Sequence, residues 1–461
     1  MTTSAAIPAP ALEPAAQAPA GFRPTLVMDV ELAAPLPPLP SAGYRRARVT
    51  GRLHSEPVGT CVIALEGRDL SPDELAALLW EDFRAPVAGR FEAAGLPAPG
   101  RLTGAGLPAD PASWPFLRRR RAVLASAPFI SVVVCTRDRP DQLQDCLRLL
   151  GQQEYPRFEV VVVDNASRSG RVTELVNAQC AGPAVFRCVD EPRPGLSWAR
   201  NTGIAAASGD IVAFLDDDEE PDRHWLAGLA SGFARAADIG CVSGMVLPAR
   251  LDTPAQELFE ELGGHGKGRG FAPATFSRHG PQSPLYPLPP FGVGANMAFR
   301  REALARIGGF DVALGAGTPT YSAEDTLALT MLLLAGYRIA YEPAALTRHH
   351  HRHDMTGLAR QLRGYDTGLT AYYLALLRHQ PGQLPGLVRL VPTAIGFFLR
   401  DRAGAGPDAE APVSGALPRR QLWWMLTGPL AYARSLRKQA RTARRATGGA
   451  LRCRDHEPLR R

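Results

Sequence analysis

The sequence lacks an apolar run long enough to cross a membrane. A spanning helix needs roughly 18 or more consecutive apolar residues, and the 461-residue chain contains no such run. Residues 1–24, mostly Ala, Pro, Ser and Thr, also lack the basic and apolar segments of a signal peptide. We therefore expect no spanning helix, a disordered arm over residues 1–24, and a cytoplasmic location.

Cysteine and lysine are both scarce. The seven cysteines are an odd number with irregular spacing, and no CxxC pair occurs. This pattern argues against a zinc ribbon or a disulfide framework and fits a reducing cytoplasm. Only Lys267 and Lys438 occur among 52 basic residues, so arginine carries nearly all of the positive charge.

The composition is that of a globular chain with two or three domains. Hydrophobic residues make up 45% and charged residues 21% of the sequence. Residues 25–94 predict a small α+β domain, with a helix that starts at Ser71-Pro72-Asp73-Glu74. We find no chemistry in this domain and cannot assign its role. The Pro- and Gly-rich residues 95–127 predict a linker.

From residue 128 the pattern changes to alternating strands and helices. The predicted strands are Phe129–Cys135, Phe158–Val163, Ala184–Val189 and Ile211–Leu215, each followed by turn or helix signals. Alternation of this type predicts an α/β fold with a mostly parallel sheet flanked by helices, here over residues 128–353. Residues 263–294 predict a long mobile loop, and residues 354–461 a helical, basic region.

The most informative motif is the acidic triplet Asp216–Asp218, which directly follows the apolar run Ile211–Leu215. Ligands bind at the carboxyl ends of strands in open α/β sheets. Clustered carboxylates repel one another unless a cation or open solvent separates them. Hard oxygen ligands suit Mg²⁺ or Mn²⁺, so the triplet predicts a metal that holds a diphosphate. A triplet of this kind taken alone is more often an acidic solvated turn.

Further polar motifs follow the other strands in a fixed order. They are Cys135-Thr136-Arg137, Val163–Ser167, Ala199–Gly203, Gly294–Met297 and Ala323–Thr326. Together with the acidic triplet they resemble the inverting glycosyltransferases of family 2. The resemblance covers residues 128–350 and implies a Rossmann-like GT-A fold and a nucleotide-diphosphate sugar as donor.

The resemblance also implies roles for individual residues at the donor site. The predicted donor-binding residues are Thr136, Arg137, Asp164, Asn165, Arg200, Asn201, Asp216 and Asp217. Asp164 would accept a hydrogen bond from the nucleotide base, Asp216 would face the ribose, and Arg200 would contact the pyrophosphate. Asp218 would bind the metal, with His349 as a second ligand and His350 as its alternative.

The residues predicted to act on the acceptor come from the motifs later in the sequence. The family's general base corresponds here to Asp325, with Glu324 as the alternative, and either carboxylate is also explained by a favourable helix N-terminus. Gly294 and Asn296 are predicted to contact sugar. Two other functions stay open: a sugar-phosphate nucleotidyltransferase, although Cys135–Pro140 contains no glycine, and a catalytically silent binder of sugar nucleotides or glycans.

The last 51 residues carry twelve arginines and lysines against Asp455 and Glu457. Adjacent tryptophans in Leu422–Leu426 precede this charge, which fits the headgroup region of an anionic membrane better than nucleic acid. We expect peripheral attachment at the inner face of the plasma membrane and a glycan or lipid-linked acceptor. A solvated basic helix packed on the catalytic domain remains the alternative. The sugar, the base and the acceptor are left open.

Overall fold

The structure is a computed structural model that carries side chains but no ligand. It describes residues 21–108, 110, 114–178, 185–266, 268–281, 283–285, 291–392 and 417–454. The predicted arm therefore lies outside the described residues except for its last four positions.

Residues 25–93 form a small sheet covered by one helix. The strands are β1 (Thr25–Glu31), β2 (Arg46–Leu53) and β3 (Glu56–Ala64), and the helix is α1 (Pro72–Ala93). β1 and β2 are parallel, whereas β2 and β3 form an antiparallel hairpin. The ring of Phe83 lies so near Gly51 that a Cβ there would be 2.4 Å from it, so this close packing requires glycine.

The segment predicted as a linker contains a helix. α2 (Pro115–Ala125) begins at Pro115, which suits the first helical position, and it packs against helix α6 (Trp225–Phe233) of the large sheet. Its Arg120 also bonds to Glu56 at 3.1 Å. The sequence did not predict this helix because α2 buries only Val123 and has little apolar periodicity. The many prolines and glycines around it indicated a linker instead.

A nine-stranded sheet dominates the molecule. Its strands are β4 (Ile130–Thr136), β5 (Phe158–Asn165), β6 (Val185–Glu191), β7 (Ile211–Asp216), β8 (Glu219–Pro221), β9 (Ile239–Pro248), β10 (Ala274–Phe276), β11 (Asn296–Arg300) and β12 (Arg338–His349). They run in the order β10-β12-β9-β11-β7-β4-β5-β6, with β8 paired to β12. β7, β4, β5 and β6 are parallel neighbours, and β11 is antiparallel to both of its neighbours.

Helices cover both faces of this sheet, which confirms the predicted α/β class. They are α3 (Pro140–Leu150), α4 (Arg171–Ala178), α5 (Leu196–Ala206), α6, α7 (Pro254–Glu261), α8 (Arg301–Ile307) and α9 (Glu324–Leu334). Val132 and Val134 of β4 pack with α3, α4 and α6, whereas Val133 packs with α5, α8 and α9. Strands buried on both faces explain the nearly continuous apolar runs in the sequence.

Two parts of the large sheet differ from the sequence prediction. The segment predicted as a loop over residues 263–294 contains the short strand β10, which pairs with β12. β12 continues through a bulge near Pro343 to His349, although a proline in the sequence is a signal for the end of a strand. A proline is tolerated at such an irregularity, and the extension places His349 beside β8.

The C-terminal region is helical where it is described. α10 (Met355–His379) is followed by a short 3₁₀ turn (Pro381–Gln383), and α11 (Leu417–Arg454) packs along α10. Gly428 allows this close approach, since a Cβ there would lie 2.4 Å from the Thr367 carbonyl oxygen. Among the helices in the described ranges, none is long and apolar enough to cross a membrane.

Candidate active site

The predicted donor-site carboxylates meet at the carboxyl ends of β7, β4 and β5. β4 lies between the other two strands, with Thr136 in register with Asp164 and Cys135 in register with Asp216. The Thr136 hydroxyl donates a hydrogen bond to Asp217 Oδ2 at 2.7 Å. Asp164 and the acidic triplet therefore share one edge of the sheet, where α/β proteins bind ligands.

Asp164 is buried but not fully satisfied. Its carboxylate is 8% exposed, and Oδ1 has no hydrogen-bond partner in the protein. Burial raises the pKa of Asp164 above its usual range. A buried carboxylate oxygen without a partner is costly unless a ligand supplies the missing donor.

Arg139 offsets the charge of the acidic triplet. Its guanidinium donates to Asp217 Oδ1 at 3.2 Å and to Asp218 Oδ2 at 3.3 Å. Burial, followed by repulsion from Asp218, raises the pKa of Asp217 to about 6. Arg139 is not among the residues predicted from the sequence. The signal that identifies it is a cation two residues after the predicted Arg137, just before helix α3.

His349 faces Asp218 from the neighbouring strand. Its Nε2 lies 3.6 Å from Asp218 Oδ1, too far for a hydrogen bond but suitable for two ligands of one ion. The His350 ring instead bonds to Glu220 at 2.7 Å. Burial lowers the pKa of His349 to about 3, so its ring is neutral as a metal ligand requires. Of the two predicted histidines, His349 therefore has the suitable position.

Two more imidazoles surround His349. The ligand atoms of His265, His349 and His351 all lie within 4.8 Å of one another. His349 Nδ1 is 2.8 Å from His351 Nδ1, and His351 Nε2 is 2.8 Å from Glu260 Oε1. Of these imidazoles, His349 faces the carboxylate of Asp218, and the two residues together offer one nitrogen and one oxygen donor for a divalent metal.

Arg200 lies beneath the site rather than in it. Its guanidinium is 2% exposed and donates to Glu324 at 2.7 Å, to the Gly294 carbonyl at 3.1 Å and to Asp216 at 3.4 Å. Burial opposes its charge, but the two carboxylates raise the pKa of Arg200 above the usual arginine value. The side chain therefore joins the acidic triplet to the start of α9, and its predicted contact with pyrophosphate remains a prediction.

The two acidic residues at the start of α9 have different environments. Glu324 is buried against Arg200, and burial raises its pKa to about 7. Asp325 is partly exposed and accepts hydrogen bonds from the backbone N–H of Gly294 at 2.7 Å and of Thr326 at 2.6 Å. Ala323 precedes them with a φ of +81°. Asp325 is thus oriented by backbone donors at the accessible side of the site.

The family assignment rests on a sequence match. Residues 131–308 match the family described as glycosyl transferase family 2. The chain contains a family 2 glycosyltransferase domain. The GT-A fold predicted for that family agrees with the parallel core and its antiparallel strand β11. The match ends before Glu324, Asp325 and His349, which therefore rest on geometry and on the resemblance seen in the sequence.

Individual relatives are similar to parts of this chain. The glycosyltransferase AglE of Haloferax volcanii is 36% identical over 22% of this chain and 34% of its own length. A pre-mycofactocin glycosyltransferase of Mycobacterium tuberculosis is 31% identical over 42% and 38%. A glucosyl-dolichyl phosphate glucuronosyltransferase of Haloferax volcanii is 27% identical over 48% and 68%. The chain thus matches little more than a third of the first two relatives' lengths.

A solved structure is also similar to the glycosyltransferase domain. It is a mannosyltransferase from Pyrobaculum calidifontis in complex with GDP-Man and Mn²⁺, at a TM-score of 0.42 and 23% identity. The superposition covers 73% of this chain and 87% of the mannosyltransferase.

Three predicted asparagines of the glycosyltransferase domain have their amides engaged by protein. Asn165 bonds to the backbone of Glu191, Arg193 and Gly195, and Asn201 bonds to both backbone groups of Phe310. The third, Asn296, is fully buried and bonds to Trp225 and to carbonyls of β9 and β12. These contacts position loops and strands around the site. Arg137, by contrast, is exposed at the rim, and the ligand roles of all four residues remain predictions.

Proposed function

We propose that this chain is an inverting, metal-dependent glycosyltransferase that moves a sugar from a nucleoside-diphosphate donor to a hydroxyl acceptor. The observation that most supports this proposal is that several carboxylates lie together at one sheet edge, near Arg200 and Thr136. They are Asp164, Asp216–Asp218 and Asp325. The arrangement supplies a base-recognition group, a cation-binding cluster and an oriented carboxylate, which such a transfer needs. The family 2 match supports the same reaction class.

The donor nucleotide lies along the ends of β5, β4 and β7 in this proposal. Asp164 Oδ1, which has no partner in the protein, accepts a hydrogen bond from an N–H of the base. Asp216, at the end of β7, accepts from the ribose hydroxyls. Thr136 and Arg139 hold Asp217 in place between them.

Asp218 and His349 hold the metal, which we expect to be Mn²⁺ or Mg²⁺. Their separation of 3.6 Å and their carboxylate and imidazole donors fit a shared ion. A bound divalent ion offsets the charge that builds on the departing diphosphate.

Asp325 acts as the general base. It takes the proton from the acceptor hydroxyl as that oxygen attacks the anomeric carbon and the bond to the diphosphate breaks. Glu324 is unsuited because it is buried and paired with Arg200. One base with no covalent intermediate gives inversion at the anomeric carbon.

The acceptor is a growing cell-surface glycan or a lipid-linked glycan, and α11 attaches the enzyme to the inner membrane face. Trp423, Leu426 and Leu430 are 62%, 74% and 52% exposed on that helix. Arg434 and Arg437 continue the same face at helical spacing, and both are exposed. An exposed apolar stripe followed by cations suits an anionic leaflet.

Donor transfer is tested with the purified protein, Mn²⁺ and a panel of nucleotide sugars. Release of nucleoside diphosphate from one donor, lost in Asp218→Ala, supports the proposal. Donor binding that raises the melting temperature without turnover would identify a silent binder. A panel that neither turns over nor shifts the melting temperature with Mn²⁺ present contradicts the donor site.

Membrane attachment has its own test. Sedimentation with anionic liposomes should retain the wild-type protein at low salt and release it at high salt. Replacing Trp423 and Leu426 by serine should abolish this retention. Equal sedimentation with neutral and anionic vesicles would contradict the proposed attachment.

A further inference from the structure

A line of four polar side chains connects helix α7 to the acidic triplet. Glu260 Oε1 lies 2.8 Å from His351 Nε2, His351 Nδ1 lies 2.8 Å from His349 Nδ1, and His349 Nε2 lies 3.6 Å from Asp218 Oδ1. Both histidines and Asp218 are at most 5% exposed. Solvent therefore cannot replace these contacts, and their proton positions depend on one another.

The positions of the ring protons follow from the ends of the line. A carboxylate can only accept, so the bond to Glu260 places the His351 proton on Nε2. In the tautomer with a single ring proton, His351 accepts at Nδ1, and His349 then donates from its own Nδ1. The lone pair of His349 is left on Nε2, directed at Asp218. Two acceptors that face each other at 3.6 Å are placed to share a cation.

We propose that His351 and Glu260 are positioning residues that hold His349 as a nitrogen ligand of the metal. This inference rests on the proposed function, because it needs the metal at Asp218. Metal-ligating histidines generally donate their other N–H to a fixed partner, which sets the tautomer and the ring orientation. Here the partner is a second histidine, itself fixed by a carboxylate.

The line extends into the small N-terminal domain. Arg48 of β2 lies 3.1 Å from Glu260 Oε2, and Asp29 of β1 forms an ion pair with Arg348, the residue before His349. The N-terminal domain thus fixes both the far end of the line and the strand that carries the ligand. This gives a role to residues 25–94: they maintain the geometry of the metal site.

A fixed nitrogen ligand also determines which metal is preferred. Mg²⁺ is bound almost only through oxygen ligands, whereas Mn²⁺, although it also favours oxygen, belongs to the first-row transition series whose ions imidazole binds. The chain should therefore bind Mn²⁺ more tightly than Mg²⁺, and replacing His351 should reduce that preference.

The test measures binding of Mn²⁺ alone to the full chain by electron paramagnetic resonance. We expect one bound Mn²⁺ with ¹⁴N coupling from His349 in the wild type, and no binding in Asp218→Ala. His351→Ala should weaken Mn²⁺ affinity by about 10–100-fold. The control His353→Ala removes an exposed histidine just beyond this line and should leave the affinity unchanged.

A second pair of variants keeps the inference testable if His351→Ala fails to fold. Glu260→Gln retains an acceptor oxygen and should bind Mn²⁺ nearly as well as the wild type, whereas Glu260→Ala should bind it more weakly. Arg48→Ala should weaken binding less than Glu260→Ala does. Wild-type affinity in folded Glu260→Ala and His351→Ala would overturn the inference while leaving the proposed metal site intact.

The remaining outcomes separate this inference from its alternatives. Mn²⁺ binding that survives in Asp218→Ala would contradict the proposed metal site and, with it, this inference. A different result would be two bound Mn²⁺ ions, one of which remains in Asp218→Ala but is lost in His265→Ala. That result would indicate a separate metal site formed by the three histidines and would overturn the inference.

Discussion

The small N-terminal domain and the edge of the large sheet differ in how fully the protein supplies partners for their carboxylates. In the small domain Glu31 accepts three backbone hydrogen bonds, and Asp29 pairs with Arg52 and Arg348. At the sheet edge, Asp164 Oδ1 and Glu324 Oε2 have no partner in the protein. Burial raises the pKa of both edge residues.

This difference separates carboxylates that hold the fold from those kept for a ligand. A buried carboxylate oxygen without a partner destabilises the folded protein, and such costs collect at functional sites. A carboxylate with every oxygen bonded contributes to stability instead. Substitution of the ligand-facing carboxylate Asp164 should therefore change activity more than stability, and substitution of a fully bonded carboxylate such as Glu31 should do the reverse.

The largest expected effect is on catalysis at Asp325. Asp325→Asn keeps the size of the side chain but cannot take a proton, so we expect kcat to fall by about 10²–10⁴-fold. The melting temperature should stay close to that of the wild type. The measurement is release of nucleoside diphosphate under saturating donor and acceptor.

Glu324→Gln is the matched control for that prediction. It removes the charge of the neighbouring carboxylate, which is buried and paired with Arg200, and should change turnover far less than Asp325→Asn does. Full activity in Asp325→Asn together with an inactive but folded Glu324→Gln would reverse the assignment of the base.

The largest expected effect on stability is at Arg200. This residue lies next to the candidate site, and its guanidinium is bonded to other groups of the protein. Arg200→Met leaves Glu324 and Asp216 without their buried cation, which should cost about 3–5 kcal/mol of unfolding free energy. Urea denaturation measures the loss. Arg338→Met is the control, because its exposed pair with Asp238 is screened by solvent and should contribute little to stability.

Much of the fold could be predicted from the sequence because its signals are local. The apolar run Ile211–Leu215 and the acids after it fix where β7 ends, and adjacent parallel strands then bring Asp164 and Asp218 to one edge. The position of His349 could not be predicted from local signals. The bulge at Pro343 that extends β12 to His349 depends on the pairing of β12 with β9 and β8. Helix α2 was missed because its partner lies in another part of the chain.

The contacts that the sequence could not predict are those between residues far apart in the chain. Arg200 has the residue type of a phosphate ligand, but its partner Glu324 lies 124 positions away and draws it under the site. Asn296 similarly has its amide engaged by two other strands, β9 and β12, and by helix α6. Residue type and local spacing do not encode such pairings.

The pH dependence of stability should distinguish Glu324 from the carboxylates of the small domain. Burial raises its pKa to about 7 in the folded protein, so the folded state binds this proton more tightly than the unfolded state. Its contribution is fully present below the unfolded pKa and is lost as pH rises through about 7. Glu324→Gln should remove a decline on the order of 1–3 kcal/mol between pH 4.5 and 7. An unchanged pH profile would show that Arg200 keeps Glu324 ionised throughout.

Asp164 should affect donor affinity without affecting stability. Asp164→Asn replaces one acceptor oxygen by an NH₂ group, and loss of one charge-assisted hydrogen bond should weaken donor binding by about tenfold. Calorimetry with the donor found in the panel measures this change. Asp190→Asn is the matched control, since Asp190 lies in register on the next strand but is exposed. An equal effect of both variants would mean that Asp164 acts only through local charge.

The smallest effect is expected at Glu31 in the small domain. Its two oxygens accept from the backbone N–H groups of Ala33, His54 and Ser55, and both hairpin residues have positive φ. Glu31→Gln places an NH₂ group against one of these donors and should cost about 1 kcal/mol of unfolding free energy, with kcat unchanged. Glu81→Gln, on the exposed face of α1, should change neither quantity. A marked loss of turnover in Glu31→Gln would show that this carboxylate serves the active site as well as the fold.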